Sequence, residues 1–304
     1  MQPRESRSEY ERRIHRVLAH VDAHLAEPLP LDALAEVAHF SPFHFHRLFT
    51  AWCGETLGDY LRRRRLEIGA LRLATQPQLG VLDVALGVGF GSGEAFARAF
   101  RQRFGSSPSE WRAERKADQA DRKIDQAGGA TSDEHGFPTT PAPEEPMNVN
   151  VTLVDRAPVD VVYQRYTGPY GPDVGRFWFE QVAPWMEEND LMGRARYGVS
   201  HDDPDITDRD KCRYDACIEV APGTVLTGQP MRTTLAGGRY ACARFEGTVE
   251  TINDAWRALL RGWLPGSGLQ LDARPFLEHY PIGSSYDPAT GVFDCELCIP
   301  VSPL

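Results

Sequence analysis

The feature that most constrains this fold is an internal repeat within residues 1–115. When Leu31–Arg62 is aligned with Val81–Arg112, eight positions carry identical or similar residues at offsets of 50 and 51, and most of the large aromatic residues are among them. A repeat of this length is one supersecondary unit, which has to bury its apolar side against its surroundings. The spacing of Leu, Val and Ala indicates helices. The first part of the chain therefore contains two copies of one helical unit.

Each copy is predicted to be two helices joined by a turn. A short apolar helix, over 31–38 or 81–88, is followed by a serine that can cap a second helix: Ser41 in the first copy and Ser92 in the second. The second helices place apolar residues on one face: Phe45, Leu48, Phe49 and Trp52 in the first copy, and Phe96, Phe100 and Phe104 in the second. This pattern predicts a helix-turn-helix, in which the opposite face is free to enter a major groove.

The candidate DNA-contacting residues lie on those opposite faces. They are Phe43, His46, Arg47 and Thr50 in the first copy, and Gly93, Glu94, Ala97, Arg98 and Arg101 in the second. Between the copies, an amphipathic helix over 57–75 carries four successive arginines, of which Arg62 and Arg63 are candidates for phosphate contact. The whole chain has a net charge of −10, but residues 1–115 carry 16 basic and 14 acidic residues, so this part is mildly basic.

A composition change divides the chain. Residues 116–146 contain Gly128-Gly129 and four prolines, with almost no large apolar residue. Such a segment cannot form a packed core, so we predict a linker between domains at 1–115 and 147–304.

The second domain also contains a repeat, with a period of 78–79 residues. Arg165, Tyr166 and Gly168 match Arg244, Phe245 and Gly247, and Trp178 and Trp185 match Trp256 and Trp263. Each copy is predicted to run strand, glycine turn, helix, strand, loop, strand. The expected fold is α+β, with one pseudo-symmetric antiparallel sheet, two helices and a cleft between the helices.

Residues 8–115 resemble the DNA-binding domain of the AraC/XylS family of transcription regulators. The resemblance rests on the second repeat above all, GFGSGEAFARAFRQRFGSSPSEWR at Gly89–Arg112. It implies an all-α domain of seven helices and two helix-turn-helix units, with double-stranded DNA at a bipartite operator as the partner. It also suggests RNA polymerase as a further partner.

Residues 148–304 resemble the GyrI-like effector-binding domain, a duplicated SHS2 module. The resemblance rests on the order of elements, the TGPY and FEG turns, and the Glu-x-Tyr within Phe276–Tyr280. Because side chains alternate along a strand, Phe276, Glu278 and Tyr280 share one face. An acid between two aromatic rings suits a cationic, flat or lipophilic effector. Candidate wall residues of the pocket are Tyr170, Trp178, Tyr214 and Trp256.

The resemblance leaves three functions open for the second domain. It can sense a small effector for a transcription regulator, hydrolyse reactive cyclopropane-bearing compounds, or bind DNA gyrase as an inhibitor. The two helix-turn-helix units favour the regulator, so we expect no enzyme and assign no catalytic residue. A catalytic glutamate at 278 would need burial and a raised pKa, whereas a sensor glutamate would need only its charge.

We expect no metal site and no cofactor. Cys295 and Cys298 are three apart on a predicted strand and so point to opposite faces, which excludes a zinc half-site. No apolar run approaches the roughly 18 residues of a membrane span, and the N-terminus lacks the apolar region of a secretory signal. We therefore expect a cytoplasmic protein without a membrane partner.

Overall fold

The computed structural model describes residues 3–115, 150–227, 230–272 and 274–303. The chain divides into two compact units between Asp118 and Gln119. The predicted linker at 116–146 lies outside the described residues. Within the described ranges, no helix is long and apolar enough to span a membrane.

In the part of the first unit that the structure describes, residues 3–115, every regular element is a helix. Its helices are α1 (Pro3–Ala23), α2 (Leu31–Val37), α3 (Pro42–Cys53), α4 (Leu57–Thr75), α5 (Val81–Gly87), α6 (Gly93–Phe104) and α7 (108–115). The predicted repeat corresponds to the pairs α2–α3 and α5–α6. The predicted caps are also confirmed, because the Ser41 hydroxyl accepts from the His44 N–H and the Ser92 hydroxyl accepts from the Ala95 N–H.

The apolar faces of α3 and α6 are buried largely as predicted. Phe45 and Phe49 of α3 are fully buried, and so are Phe96 and Phe100 of α6. The prediction was wrong for Trp52, whose exposed fraction is 36%. The physical reason is its position in the last turn of α3, where residues 51–54 border solvent.

The second unit is built on one nine-stranded antiparallel sheet. Its strands are β1 (Val151–Arg156), β2 (Val159–Thr167), β3 (Arg196–Ser200), β4 (Arg213–Glu219), β5 (Met231–Leu235), β6 (Gly238–Gly247), β7 (Leu269–Leu271), β8 (Phe276–Tyr280) and β9 (Phe293–Pro303). The order across the sheet is β1-β6-β9-β8-β3-β4-β2-β5, and β7 adds to β9. The predicted α+β fold with an antiparallel sheet is confirmed.

The sheet has an internal pseudo-twofold relation that follows the sequence repeat. Strands β2, β4 and β3 of the first copy correspond to β6, β9 and β8 of the second, and the two copies join where β3 pairs with β8. The leading strands are exchanged, since β1 pairs with β6 and β5 pairs with β2. The exchange was not predicted, because a sequence repeat does not say which copy a strand pairs with.

The predicted helices lie on one face of this sheet. In the first copy, α8 (Pro172–Phe177) continues through a π-helical turn, Trp178–Val182, into α9 (Ala183–Glu188). In the second copy, α10 (Ile252–Arg257) continues into a π-helical segment, Ala258–Trp263. The opposite face of the sheet has a core of its own, which includes Tyr163, Tyr197, Cys217, Leu277 and Cys298. The central strands are therefore buried on both sides.

Candidate functional sites

The exposed faces of α3 and α6 carry most of the predicted DNA-contacting residues. On α3, Phe43 is 68% exposed, and the neighbouring His46 and Arg47 are exposed too. On α6, Glu94, Arg98 and Arg101 are exposed. Thr50, Gly93 and Ala97 are half-buried at the edges of these faces. Arg47 and Arg98 therefore occupy equivalent, accessible positions in the two repeats.

Glu94 introduces a negative charge at the start of α6. Its pKa is lowered by hydrogen bonds from its own backbone N–H and from the Ser92 hydroxyl, with a smaller contribution from Arg98. The ionised carboxylate is also favoured at a helix N-terminus, where the backbone dipole is positive. Glu94 would repel a phosphate, but its carboxylate can accept from the amino group of a cytosine.

The four successive arginines of α4, residues 62–65, do not form the exposed basic surface that the sequence predicted. Arg62 is exposed and donates to Gln102 Oε1 over 3.3 Å. Arg63 is buried, with its guanidinium 2.7 Å from Glu55 Oε1 and 3.0 Å from Glu67 Oε1. The prediction that Arg63 contacts phosphate is wrong, because its guanidinium is held inside the domain by two carboxylates.

Glu67 is the centre of a buried ion network. Besides Arg63, it lies 3.1 Å from the Arg64 guanidinium and 3.6 Å from that of Arg103 on α6. Arg64 also reaches Asp22 on α1 over 3.2 Å. The network joins α1, α4 and α6 and so helps to fix the two helix-turn-helix units relative to each other. Its sequence signal was the spacing of three and four residues that places Glu67 on the same helix face as both arginines.

The second unit contains a cavity of 490 Å³ between the helices of its two copies. The structure brings all seven of the predicted effector-binding residues into its lining: Tyr170, Trp178, Tyr214, Trp256, Phe276, Glu278 and Tyr280. The volume lies within the range of small-molecule sites, and the predominantly apolar lining is typical of them. Among the described residues that line the cavity there is no histidine.

Glu278 is a buried acidic residue in the lining of this cavity. Its Oε2 accepts hydrogen bonds from Tyr214 at 2.7 Å and from Tyr280 at 3.0 Å. Burial raises the pKa of Glu278, and the hydrogen bonds from Tyr214, Tyr280 and Trp256 oppose that shift only in part. Burial also raises the pKa values of Tyr214 and Tyr280, so both phenols stay protonated and act as donors.

Aromatic rings enclose the carboxylate. The Trp178 indole N–H donates to the Tyr214 hydroxyl over 3.0 Å, and the Trp178 ring centre is 6.2 Å from that of Tyr280. Trp256 stacks on Phe276, with ring centres 5.8 Å apart and planes 21° from parallel. Rings around a negative charge attract a flat cation through both the ring faces and the charge.

Sequence reasoning missed the contacts at the rim of the cavity. The loop after β3 carries Asp205, whose carboxylate is 2.6 Å from Arg261 in the helix of the other copy. The loop after β8 carries Tyr286, whose ring centre is 4.7 Å from that of Phe179 in the first copy. Each loop thus reaches the opposite helix. No local sequence pattern indicates these contacts, because they arise only from the pseudo-symmetric packing of the two copies.

Gly198 of β3 makes room for the buried carboxylate. It lies opposite Glu278 in the β3–β8 ladder. A Cβ atom at this position would lie 2.0 Å from the Tyr214 hydroxyl oxygen and 2.3 Å from Glu278 Oε2. Only a hydrogen atom fits there, so the Tyr214–Glu278 hydrogen bond depends on this glycine.

Comparison with known proteins assigns a family to each unit. Residues 34–114 match a helix-turn-helix domain family, and residues 149–302, half of the chain, match the GyrI-like small molecule binding domain. The right origin-binding protein of Escherichia coli K12 is 31% identical over 253 residues, which cover 77% of this chain and 78% of that protein. The chain belongs to the AraC-type regulators that carry a GyrI-like domain.

Two further relatives show how far this likeness extends. The transcriptional regulator Rob of Salmonella typhimurium LT2 is 29% identical over 317 residues, which cover 95% of this chain and 97% of that protein. The regulatory protein SoxS of Escherichia coli K12 is 35% identical over 99 residues, 33% of this chain and 92% of that protein. This AraC-type protein is thus a DNA-binding transcription regulator with a small-molecule-binding domain.

Substitution of Gly198 tests whether this position has room for a side chain. We expect Gly198→Ala to separate Tyr214 from Glu278 and to lower the free energy of unfolding by about 1–3 kcal/mol, the usual cost of overpacking a buried site. Urea unfolding followed by tryptophan fluorescence measures this. Gly262→Ala is the matched control, because nothing lies within 4 Å of its added Cβ. Equal stability of the two variants would contradict the steric argument.

Proposed function

We propose that α3 and α6 of this regulator enter two successive major grooves and read a bipartite site. The observation that carries the proposal is the exposure of Arg47 and Arg98 at equivalent positions of the two helix-turn-helix units. Arginine is the side chain that most often reads guanine in the major groove. The Glu67 network supports a constant separation of the two helices, as a bipartite site requires.

The two recognition helices differ in what they offer to DNA. On α3, the exposed ring of Phe43 suits a thymine methyl group, and Arg47 lies beside it with its guanidinium 5.8 Å from the ring centre. On α6, Gly93 has no side chain, so this helix has fewer groups to read bases with. We expect α3 to contribute more to sequence preference than α6.

Truncating either arginine tests the proposed interface. We expect Arg47→Ala and Arg98→Ala each to weaken binding by about 1–3 kcal/mol if they contact bases. The measurement is fluorescence anisotropy at fixed salt, on a site selected from random duplex DNA by the full chain. Arg244→Ala in the second unit is a matched loss of one exposed charge. Unchanged affinity in both α3 and α6 variants would rule out these recognition helices.

We further propose that the cavity binds a lipophilic cation with an aromatic surface. The supporting observation is the buried carboxyl group of Glu278, which aromatic rings surround. A cation that contacts Glu278 stabilises its ionised form, whereas burial in the free protein favours the protonated form. Below this raised pKa, binding of a cation therefore releases a proton from Glu278.

This linkage predicts how affinity depends on pH. Because the pKa of Glu278 is raised, affinity for tetraphenylphosphonium should increase as the pH rises through that pKa and become constant above it. Glu278→Gln should weaken binding and abolish the pH dependence. Isothermal titration across pH 5–8 measures both, with Arg244→Ala as a control. Tight, pH-independent binding that survives in Glu278→Gln would place the ligand elsewhere.

Ligand binding would then control transcription by favouring one of two conformations. A ligand does this only if its affinities for the two conformations differ. We propose that the protein acts on DNA in the cytoplasm and contacts RNA polymerase there. Support for both comes from its membership of a family of transcription regulators.

A second candidate activity has specific support in the cavity. Glu278 is both buried and raised in pKa, as a catalytic glutamate would have to be. The alternative is hydrolysis of a reactive cyclopropane-bearing compound, in which ionised Glu278 takes a proton from an attacking water. Incubation of such a compound with the protein, followed by mass spectrometry, tests this. Addition of one water, lost in Glu278→Gln, would establish the hydrolase; an unchanged compound would exclude it.

A further inference from the structure

Two cysteines lie beside each other on neighbouring strands, on the face of the sheet away from the cavity. Cys242 of β6 and Cys298 of β9 are directly opposed in the antiparallel ladder. Their thiols are close enough for an interaction that lowers the pKa of Cys242 and raises that of Cys298. The backbone oxygen of Glu296, 3.6 Å from Cys298 Sγ, is a second acceptor for the Cys298 thiol. No local sequence pattern predicts this pair, because the two residues are far apart in the chain. The nearer neighbour in sequence, Cys295, lies on the other face in a different core.

One guanidinium lies against both sulfurs. Arg156, at the end of β1, has its Nη2 3.3 Å from Cys298 Sγ and 3.7 Å from Cys242 Sγ. The same group contacts Glu296 at 2.6 Å, and its other terminal nitrogen is 3.2 Å from His279. A thiolate beside a guanidinium is stabilised, and thiolates are the reactive form of cysteine.

The surroundings distinguish Cys242 from the other cysteines of the sheet. The interaction with Cys298 and the nearby Arg156 lower the pKa of Cys242 to about 7, against the opposing effects of burial and Glu296. Burial keeps His279 neutral by lowering its pKa, so it adds no positive charge. By contrast, burial raises the pKa values of Cys217 and Cys295. Cys242 is thus the nucleophile of the pair.

The backbone already has the spacing of a disulfide. Directly opposed residues of an antiparallel pair have Cα atoms about 4.5–5.5 Å apart. Disulfides span Cα separations of about 4.4–6.8 Å. The exposed fraction of Cys242 is 5%, whereas Cys298 is fully buried. A small oxidant would therefore reach Cys242 first, and Cys298 would resolve the product.

We infer that Cys242 and Cys298 form a reversible oxidation site for hydrogen peroxide. The Cys242 thiolate attacks one peroxide oxygen, the O–O bond breaks, and the other oxygen takes a proton and leaves as water. The Cys298 sulfur then attacks the sulfenic acid on Cys242. The S–S bond forms, the S–O bond breaks, and the leaving oxygen departs as water with the Cys298 proton. Two thiols and one peroxide become one disulfide and two waters.

The test is mass spectrometry of the full chain after brief treatment with hydrogen peroxide at pH 7. We expect a loss of two hydrogens, a cross-linked peptide that joins Cys242 to Cys298, and full reversal by dithiothreitol. Cys242→Ser should abolish the loss. Cys298→Ser should stop at a sulfenic acid that dimedone traps. Cys295→Ser is the matched control and should react like the unaltered chain.

Arg156→Gln tests the guanidinium as a positioning residue. If the pKa of Cys242 returns towards the ordinary value of about 8.5, the rate at pH 7 should fall about tenfold and its pH profile should move to higher pH. Thermal unfolding checks that the variant is folded. The inference is overturned if Cys298→Ser still loses two hydrogens, if the disulfide joins other cysteines, or if peroxide leaves both thiols intact.

Discussion

The antiparallel pairing of β3 with β8 is the constraint on which the second unit depends. This seam joins the two sequence copies, and the exchanged strands β1 and β5 strengthen the joint from both sides. Because the copies are related by a pseudo-twofold, their helices come to lie beside each other over the seam, and the cavity is the space between them. Glu278 and Gly198 face each other in the same ladder. The strand pairing that joins the two copies therefore also positions the buried carboxyl group of the cavity.

In the first unit, buried ion pairs help to fix the position of the two helix-turn-helix copies relative to each other. Its two helix-turn-helix copies are connected by α4, and a helix alone fixes neither the rotation nor the distance of its neighbours. Glu67 holds three arginines from α4 and α6, and Arg64 extends the network to Asp22 on α1. Removing one partner from a buried network leaves an uncompensated charge, which is strongly unfavourable. In both units, buried polar contacts help to hold the two copies in one arrangement relative to each other.

The two faces of the large sheet serve different chemistry. The face towards the helices carries the acid and the aromatic rings of the cavity, where burial favours the protonated carboxyl of Glu278. The opposite face carries Arg156 with its two sulfurs, where a fixed positive charge favours a thiolate instead. Alternation along each strand separates the two sites, so that Glu278 and its neighbour Leu277 point to opposite sides of the same strand.

The sequence by itself determined the two repeats, the helices and most strands, the serine caps, and seven of the residues that line the cavity. The repeats, elements and caps depend on local periodicity, and the shared face of Phe276, Glu278 and Tyr280 depends on side-chain alternation, both of which a short stretch of chain already contains. The other four cavity residues were expected from the resemblance to the GyrI-like domain. Only the tertiary structure decided the exchange of β1 and β5, the burial of Arg63, the rim contacts of Asp205 and the opposition of Cys242 and Cys298. Each of these depends on which distant segments meet. A charge such as Arg63 looks the same in sequence whether it faces water or Glu67, since burial is a property of packing between elements.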